Sequence, residues 1–218
     1  MRISVSDVVL IKMDEAERSL NDAAALDDGE AASEQVLRRQ EDDQLLARNA
    51  AEDPSAFGEL YERYVTAIYR YVYYRVGSTE DAEDLTARVF MRAYKHVKNY
   101  NDRGVPFTAW LYRIAHNVVA NYHRDNSRHP SIPLDEIESH GAHLDDADLL
   151  IDVQRDRERL LRAIRLLPED RQQLVVLKFV QQQQNAEIGQ IMNRSEGAVK
   201  SLYHRTLMQL REILEKMA

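Results

Sequence analysis

Residues that can bind nucleic acid are clustered near the carboxyl end of the sequence, where Lys200, Ser201, His204 and Arg205 lie within six positions. Lysine and arginine neutralise phosphates, and arginine can also donate two hydrogen bonds to the edge of a guanine. On a helix these four positions would share one face. The chemistry they indicate is contact with duplex DNA, without a covalent step.

Two short helical patterns separated by a polar turn would position this cluster. Ile188, Ile191 and Met192 recur at helical spacing in the first pattern, and residues 193–195 break it. Ser195 is the predicted N-cap of the second helix, because its hydroxyl can accept a backbone N–H of the next turn. Two helices joined in this way predict a helix-turn-helix, whose second helix enters the DNA major groove. A helical hairpin with a merely solvated outer face is the alternative.

The composition predicts a mostly helical protein that stays in the cytoplasm. The 218 residues include only 7 Gly and 5 Pro, and 44% are hydrophobic. Cysteine is absent, which excludes disulfides, thiolate catalysis and cysteine-based zinc sites. The apolar run from Val8 to Ile11 is too short to span a membrane, so no membrane insertion is expected.

Charge alternates in blocks along the chain. Residues 1–54 carry a balance of −8 and residues 125–154 one of −7, whereas residues 55–124 carry +3 and residues 155–218 carry +4. The formal net charge of −8 is therefore the sum of two strongly acidic blocks and two mildly basic ones. Only these blocks have charge suited to phosphate, so we expect both of them to meet nucleic acid.

The spacing of apolar residues predicts an all-α fold of two small helical domains. In the first domain, residues 54–125, one helix follows Pro54, with Ser55 as a candidate cap, and ends near Gly77. A second helix follows Thr79, and a third runs from about Thr108 to Arg124 after a loop that begins at residue 99. The second domain, residues 153–218, ends in the helix-turn-helix.

Two acidic segments complete the predicted organisation. Residues 126–152 read as a flexible acidic linker, since Pro130, Pro133 and Gly141 interrupt regular structure. Residues 1–53 form an acidic N-terminal extension with thin apolar stripes. We expect the extension to be solvated or disordered, or else a regulatory segment that covers a basic surface of the chain.

Five motifs in this order resemble a bacterial sigma factor of the extracytoplasmic-function type, in the sigma-70 family. The resemblance covers about residues 54 to 216. Any one motif alone is a weak signal, but five in the right order are specific. The motifs are AFGELYERY from Ala56, DAEDLTARVFMRAY from Asp81, FTAWLYRIAHN from Phe107, LPEDRQQLVVLKF from Leu167 and SEGAVKSLYHR from Ser195.

The resemblance implies a role for each block. The second motif is similar to the helix that binds the clamp helices of core RNA polymerase, and the expected contacts are Asp81, Asp84, Leu85, Arg88, Phe90 and Arg92. The loop and helix after it look like the part that melts and reads the minus-ten promoter element, through Tyr100, Phe107, Trp110, Arg113, Asn117 and Arg124. Plain core packing is the alternative role for Phe107 and Trp110.

The helix-turn-helix resembles the module that reads the minus-thirty-five element, with expected contacts from Arg194, Ser195, Lys200, Ser201, His204 and Arg205. The expected partners are core RNA polymerase, promoter DNA and an anti-sigma factor. The acidic linker resembles the connector that passes through the polymerase's RNA channel, where its charge would imitate nascent RNA. No cofactor, metal or catalytic residue is expected.

Two other classes of protein share single features with this sequence. An enzyme could use His140, His143, Asp145, Asp146 and Asp148 as metal ligands, but these residues lie in the interrupted acidic linker, where a preorganised site is not expected. A conventional regulator could use the helix-turn-helix to bind duplex operator DNA as a dimer. Such a regulator would not need the motifs at Asp81 and Phe107.

Overall fold

The computed structural model describes residues 28–100, 105–126 and 158–217, and in those ranges all regular structure is helical. Four helices precede the gap at residues 127–157: α1 (Asp28–Asn49), α2 (Pro54–Val76), α3 (Thr79–His96) and α4 (Phe107–Asn126). A single 3₁₀ turn, Val97–Asn99, extends α3. Apart from Asn126, which ends α4, the expected acidic linker and the five candidate metal ligands within it lie outside the described residues.

Four further helices follow the gap. The first, α5, includes residues 158–165, and it is followed by α6 (Glu169–Val175), α7 (Asn185–Met192) and α8 (Glu196–Lys216). A π-helical turn, Val176–Val180, continues α6. In the described part of the chain no helix is long and apolar enough to cross a membrane, and no group of three or more His, Asp and Glu residues there could hold a metal ion.

Local capping explains where the helices of the first half begin and end. Asp53 caps α2 by accepting the backbone N–H of Ser55 at 2.8 Å, and Pro54 occupies the first helical turn. The expectation that Ser55 is the cap is therefore wrong by two positions. Gly77 ends α2 with a φ of 81°, a left-handed conformation that favours glycine. Ser78 then caps α3 through the backbone N–H of Asp81, at 3.2 Å.

Helix α1 packs against α2, α4 and the 3₁₀ turn, although it lies in the segment expected to be an acidic extension. Ala47 and Ala50 are buried in the hydrophobic core, and so is the carboxylate of Asp43, which accepts hydrogen bonds from Arg63 and Tyr64. A buried carboxylate is stable only when it is paired in this way. The paired carboxylate and the two buried alanines therefore place the second half of α1 in the bundle. The predicted domain boundary at residues 53 and 54 stays a prediction.

The buried apolar side chains of the two halves form one continuous cluster. Helix α7 packs against α4, and the π-helical turn packs against α2. Tyr71 of α2 and Tyr112 of α4 are buried in this cluster, with ring centroids 5.2 Å apart in an edge-to-face arrangement. The two predicted helical domains are thus in direct contact.

Candidate nucleic-acid interface

The helix-turn-helix is built by a left-handed residue and a cap between α7 and α8. Asn193 adopts φ 54° and ψ 48° after α7, and the hydroxyl of Ser195 accepts the backbone N–H of Ala198 at 3.3 Å. Gly189 allows the close approach of the turn, because a Cβ there would lie 2.7 Å from the carbonyl oxygen of Arg194. The N-cap predicted at Ser195 is confirmed.

Helix α8 buries one face and leaves the opposite face open. Its buried residues include Val199, Leu202 and Leu210, as the apolar spacing predicts. The structure exposes all six residues that were expected to contact the minus-thirty-five element: Arg194, Ser195, Lys200, Ser201, His204 and Arg205. Two of the charged side chains form ion pairs at the surface: Lys200 with Glu196 at 3.0 Å, and Arg194 with Asp170 at 3.2 Å. Exposed ion pairs of this kind are weak.

The six residues expected to bind polymerase on α3 divide between surface and core. Arg88 and Arg92 are exposed, as is Asp84, whose carboxylate forms an ion pair with Arg88 at 2.7 Å. Leu85 and Phe90 are buried, so in this structure they fix the orientation of the exposed face of α3. Their expected contact with polymerase stays a prediction.

The carboxylate of Asp81 is bound by a side chain of a neighbouring helix in the bundle. Its carboxylate accepts a hydrogen bond from the Tyr122 hydroxyl at 2.7 Å, which ties α3 to α4. Partial burial and this carboxylate raise the pKa of Tyr122 to about 12, so the phenol stays protonated as the donor. Asp81 therefore helps to position α3 in this structure, and its expected contact with polymerase stays a prediction.

Two exposed apolar side chains on α3 were missed from the sequence. Met91 is 72% exposed and Tyr94 is 48% exposed, next to the exposed arginines of the same helix. The sequence did contain a signal, because both residues lie out of phase with the buried stripe of Leu85, Val89 and Ala93. An apolar patch rimmed by charge is typical of a surface that binds another protein.

The aromatic residues expected at the minus-ten element form a cluster at the start of α4. The Trp110 ring lies 5.2 Å from that of Tyr100 and 5.5 Å from that of Phe107, between ring centroids. Phe107 is fully buried and Trp110 is half-buried. Core packing, the alternative role for both residues, therefore accounts for Phe107 in this structure, and its expected contact with the minus-ten element stays a prediction.

The polar residues expected at the same element follow along α4. Asn117 and Arg124 are exposed. Arg113 instead donates hydrogen bonds to the carbonyl oxygens of Gln190 at 2.6 Å and Ile191 at 3.3 Å, at the carboxyl end of α7. The structure thus brings a predicted minus-ten residue against the helix-turn-helix, a contact that the sequence did not predict.

Both halves of the chain match known protein families. Residues 60–129 match the family model for Sigma-70 region 2, and residues 157–210 match the one for Sigma-70, region 4. The chain is a sigma factor of the sigma-70 family. The two regions occur in the order that the motifs indicated, so the prediction of a sigma factor is confirmed.

Relatives place the sigma factor in the extracytoplasmic-function group. It is 34% identical over 172 residues to the ECF RNA polymerase sigma factor BldN of Streptomyces coelicolor, covering 78% of this chain and 65% of BldN. It is 28% identical over 179 residues to the ECF RNA polymerase sigma factor SigW of Bacillus subtilis, covering 76% of this chain and 92% of SigW. The chain thus spans slightly less than two thirds of BldN and nearly all of SigW.

A solved structure shares the fold of the sigma factor. The structure of CnrH in complex with the cytosolic domain of CnrY matches with a TM-score of 0.59 and 22% identity, covering 81% of this chain and 99% of that one. At this identity the likeness supports the all-helical architecture alone. The predicted all-α fold with two sigma regions is confirmed.

Proposed function

We propose that this sigma factor directs core RNA polymerase to promoters whose two elements it recognises with separate halves of its chain. The observation that carries the proposal is the exposed face of α8, where Lys200, Ser201, His204 and Arg205 follow a capped helix-turn-helix within a sigma region 4. Phosphate contacts would fix the helix in the major groove, and Arg205 is the side chain best suited to read a guanine.

The first half of the chain would bind polymerase and open the DNA. The exposed residues Arg88, Met91, Arg92 and Tyr94 give α3 an apolar patch with a basic rim, which suits a protein partner. Asn117 and Arg124 on α4 would contact the opened strand, and the half-buried Trp110 offers an aromatic surface for an unstacked base. We place the start of this domain ahead of Asp43, because α1 shares its core.

An anti-sigma protein is part of the proposal. CnrH, which shares this fold, was solved in complex with the cytosolic domain of CnrY. We expect the chain to act in the cytoplasm, where polymerase and promoter DNA are found, and to act without a cofactor or catalysis of its own. Polymerase would supply the chemistry of RNA synthesis.

Run-off transcription with sigma-free core polymerase tests the proposal. The purified chain should produce discrete transcripts from its cognate promoters, and neither core polymerase nor the chain alone should do so. A chain that binds duplex DNA alone but yields no transcript from any promoter tried with core polymerase would be a conventional regulator instead.

A further inference from the structure

The aromatic residues at the start of α4 pack against a buried tyrosine of α2. The Tyr64 ring lies 6.0 Å from that of Phe107, between ring centroids, and Phe107 lies 5.5 Å from Trp110 and 5.7 Å from Tyr100. Tyr64 and Phe107 are both buried. Because buried side chains are closely packed, a displacement of one ring displaces its neighbours. The position of Trp110, the half-buried ring of the cluster, therefore depends on Tyr64.

Helix α1 determines where Tyr64 lies. The hydroxyl of Tyr64 donates a hydrogen bond to the carboxylate of Asp43, which also accepts one from Arg63. Burial, followed by the negative charge of Asp43, raises the pKa of Tyr64, so the phenol stays protonated as the donor. A hydrogen bond between two buried polar groups is costly to break. Tyr64 therefore has one strongly preferred position.

Arg39, one turn before Asp43 on α1, contacts the ring of the same tyrosine. Its guanidinium carbon lies 5.6 Å from the centroid of the Tyr64 ring, within the range of a cation–π contact. Residues four positions apart share one face of a helix, so Arg39 and Asp43 point toward α2 together. One face of α1 thus binds both the ring and the hydroxyl of Tyr64.

The loop before α4 is joined to the same aromatic cluster. The Tyr100 hydroxyl donates to the carbonyl oxygen of Val105 at 2.9 Å, and the Tyr100 ring lies 5.2 Å from that of Trp110. The 3₁₀ turn that directly precedes Tyr100 also packs against α1. Helix α1 therefore contacts the structure on both sides of this loop.

An aromatic ring replaces the stacking that a base loses when it leaves the duplex. The ring contributes most when it is already in place, since no side chain then has to be ordered as the base arrives. Trp110 is the ring of this cluster that is open to solvent, and buried side chains support it from behind.

We propose that Asp43 of α1, acting through Tyr64 and Phe107, positions Trp110 to receive an unstacked base during promoter opening. Asp43 is a positioning residue, because its buried carboxylate touches Tyr64 and Arg63 rather than a nucleotide. The promoter consequence rests on the proposed function, whereas the position of Trp110 does not.

Trp110 fluorescence tests the positioning in the full-length chain, because the sequence contains a single tryptophan. Tyr64→Phe removes the hydroxyl that binds Asp43 and keeps the ring. Arg39→Gln, at an exposed position, is a second variant that keeps this hydrogen bond and removes the cation from the ring.

Tyr122→Phe is the matched control. It also removes a hydroxyl that donates to a carboxylate, that of Asp81 at 2.7 Å, between two helices of the same bundle. Tyr122 lies about 18 Å beyond Trp110 along α4, at about 1.5 Å per residue. The control therefore removes a similar hydrogen bond far from the aromatic cluster.

Tyr64→Phe should shift the emission of Trp110 to longer wavelength and increase its quenching by acrylamide, because the ring becomes more exposed. Arg39→Gln should change both quantities in the same direction by a smaller amount, and Tyr122→Phe should leave them unchanged. Parent-like emission and quenching in both α1–α2 variants would overturn the positioning. An equal change in Tyr122→Phe would overturn it as well, since the effect would then be a general loosening of the bundle.

Promoter opening by saturated holoenzyme tests the consequence for DNA. Tyr64→Phe should lower the rate of opening roughly tenfold on a duplex promoter, because small displacements of a positioned group are costly. A promoter whose minus-ten element is already unpaired by mismatches should restore most of the rate. A smaller active fraction of protein would instead lower the rates on both promoters equally.

An equal loss on the two promoters, or an unchanged rate on the duplex, would overturn the role of Asp43 and Tyr64 in opening. A parent chain that opens no promoter with core polymerase would contradict the proposed function. The emission spectra would then still decide whether α1 positions Trp110.

Discussion

Arg113 donates a 2.6 Å hydrogen bond to the backbone carbonyl of Gln190, so a residue of sigma region 2 caps the first helix of the helix-turn-helix in region 4. Neither residue has an unusual sequence context. The contact exists because the carboxyl end of α7 presents carbonyls without intrahelical partners, and because α4 lies across it. The same pairing places His116, one turn further along α4, between Arg75 and Glu169.

Acidification should weaken the contact between the two sigma regions through His116. Burial, followed by the positive charge of Arg75, lowers the pKa of His116 below its ordinary value, and Glu169 opposes this shift. The chain with its two regions in contact then binds fewer protons than the chain with them apart. The stabilisation of this contact by a neutral His116 is present above the ordinary histidine pKa of about 6.5 and is lost as the pH falls through the lowered value.

Spin labels at Glu62→Cys on α2 and Glu212→Cys on α8, two exposed positions, would check this expectation from about pH 8 down to about pH 5.5. The fraction of molecules with the two regions apart should rise on acidification, and His116→Gln should reduce the rise. His123, whose pKa is lowered by burial and by the same Arg75, faces the same charges, so His123→Gln is measured in parallel. A distribution of label distances that does not change with pH in the parent chain would contradict the assignment.

Met91→Glu should weaken binding to core polymerase. The side chain is 72% exposed, so we expect the substitution to leave the fold intact. It places a negative charge in the apolar patch of α3. We expect the dissociation constant to rise about tenfold, which corresponds to about 1.4 kcal/mol. Leu45→Glu on α1, at a residue that is 57% exposed, is the matched control. Equal affinities of the two variants in a fluorescence titration with core polymerase would place the interface elsewhere.

Arg205→Ala and Lys200→Ala should differ in how they affect promoter binding by the holoenzyme. If Arg205 reads a base, its loss costs about 1 to 3 kcal/mol and relaxes the preference at one position of the upstream element. Loss of Lys200 should weaken binding to all sequences about equally and reduce the salt slope by about 1. Competition binding at several salt concentrations measures both effects. A uniform loss for Arg205→Ala would make Arg205 a phosphate contact.

Asp43→Asn should destabilise the first region by about 2 to 4 kcal/mol, because it leaves Arg63 and the buried Tyr64 hydroxyl without a carboxylate. Glu59→Gln removes an exposed partner of the same Arg63, 3.1 Å away, and should cost less than about 0.5 kcal/mol. Urea unfolding of both variants gives the comparison. An equal loss of unfolding free energy in the two variants would mean that α1 contributes little to the stability of the bundle.

Gly77→Ala should lower the free energy of unfolding by about 1 to 2 kcal/mol, because φ is 81° and a Cβ would lie 2.1 Å from Nη1 of Arg165. Gly58→Ala, within α2 and with no atom within 4 Å of the new Cβ, should stabilise by about 0.5 to 1 kcal/mol. Melting temperatures that shift in the same direction for both variants would contradict the left-handed conformation of Gly77 at the end of α2.

Local signals in the sequence predicted much of this fold. Ser195 and Gly77 could be assigned because capping depends on a few neighbouring residues. Helix α1 was underestimated, since its place in the core depends on the pairing of Asp43 with Arg63 and Tyr64, some twenty residues away. The exposed face of α8 was predicted from helical spacing alone.

The contact between the two sigma regions could not be read from any local pattern. Arg75 occupies an ordinary position at the end of a helix, and its burial depends on Glu169, which lies 94 residues further along the chain. The apolar stripe of α3 predicts that Leu85 and Phe90 are buried, whereas the family motif indicates that they are contacts. Spacing predicts which face is buried, whereas a motif does not separate a contact from the residue that supports it.

Permanganate footprinting of promoter DNA tests the central claim most directly, because it reports unpaired thymines. With core polymerase and this chain together, thymines of the minus-ten element should become reactive, and neither protein alone should produce that reactivity. Protection of duplex DNA by the chain alone, with no reactive thymine when core polymerase is added, would contradict its assignment as the promoter-opening subunit.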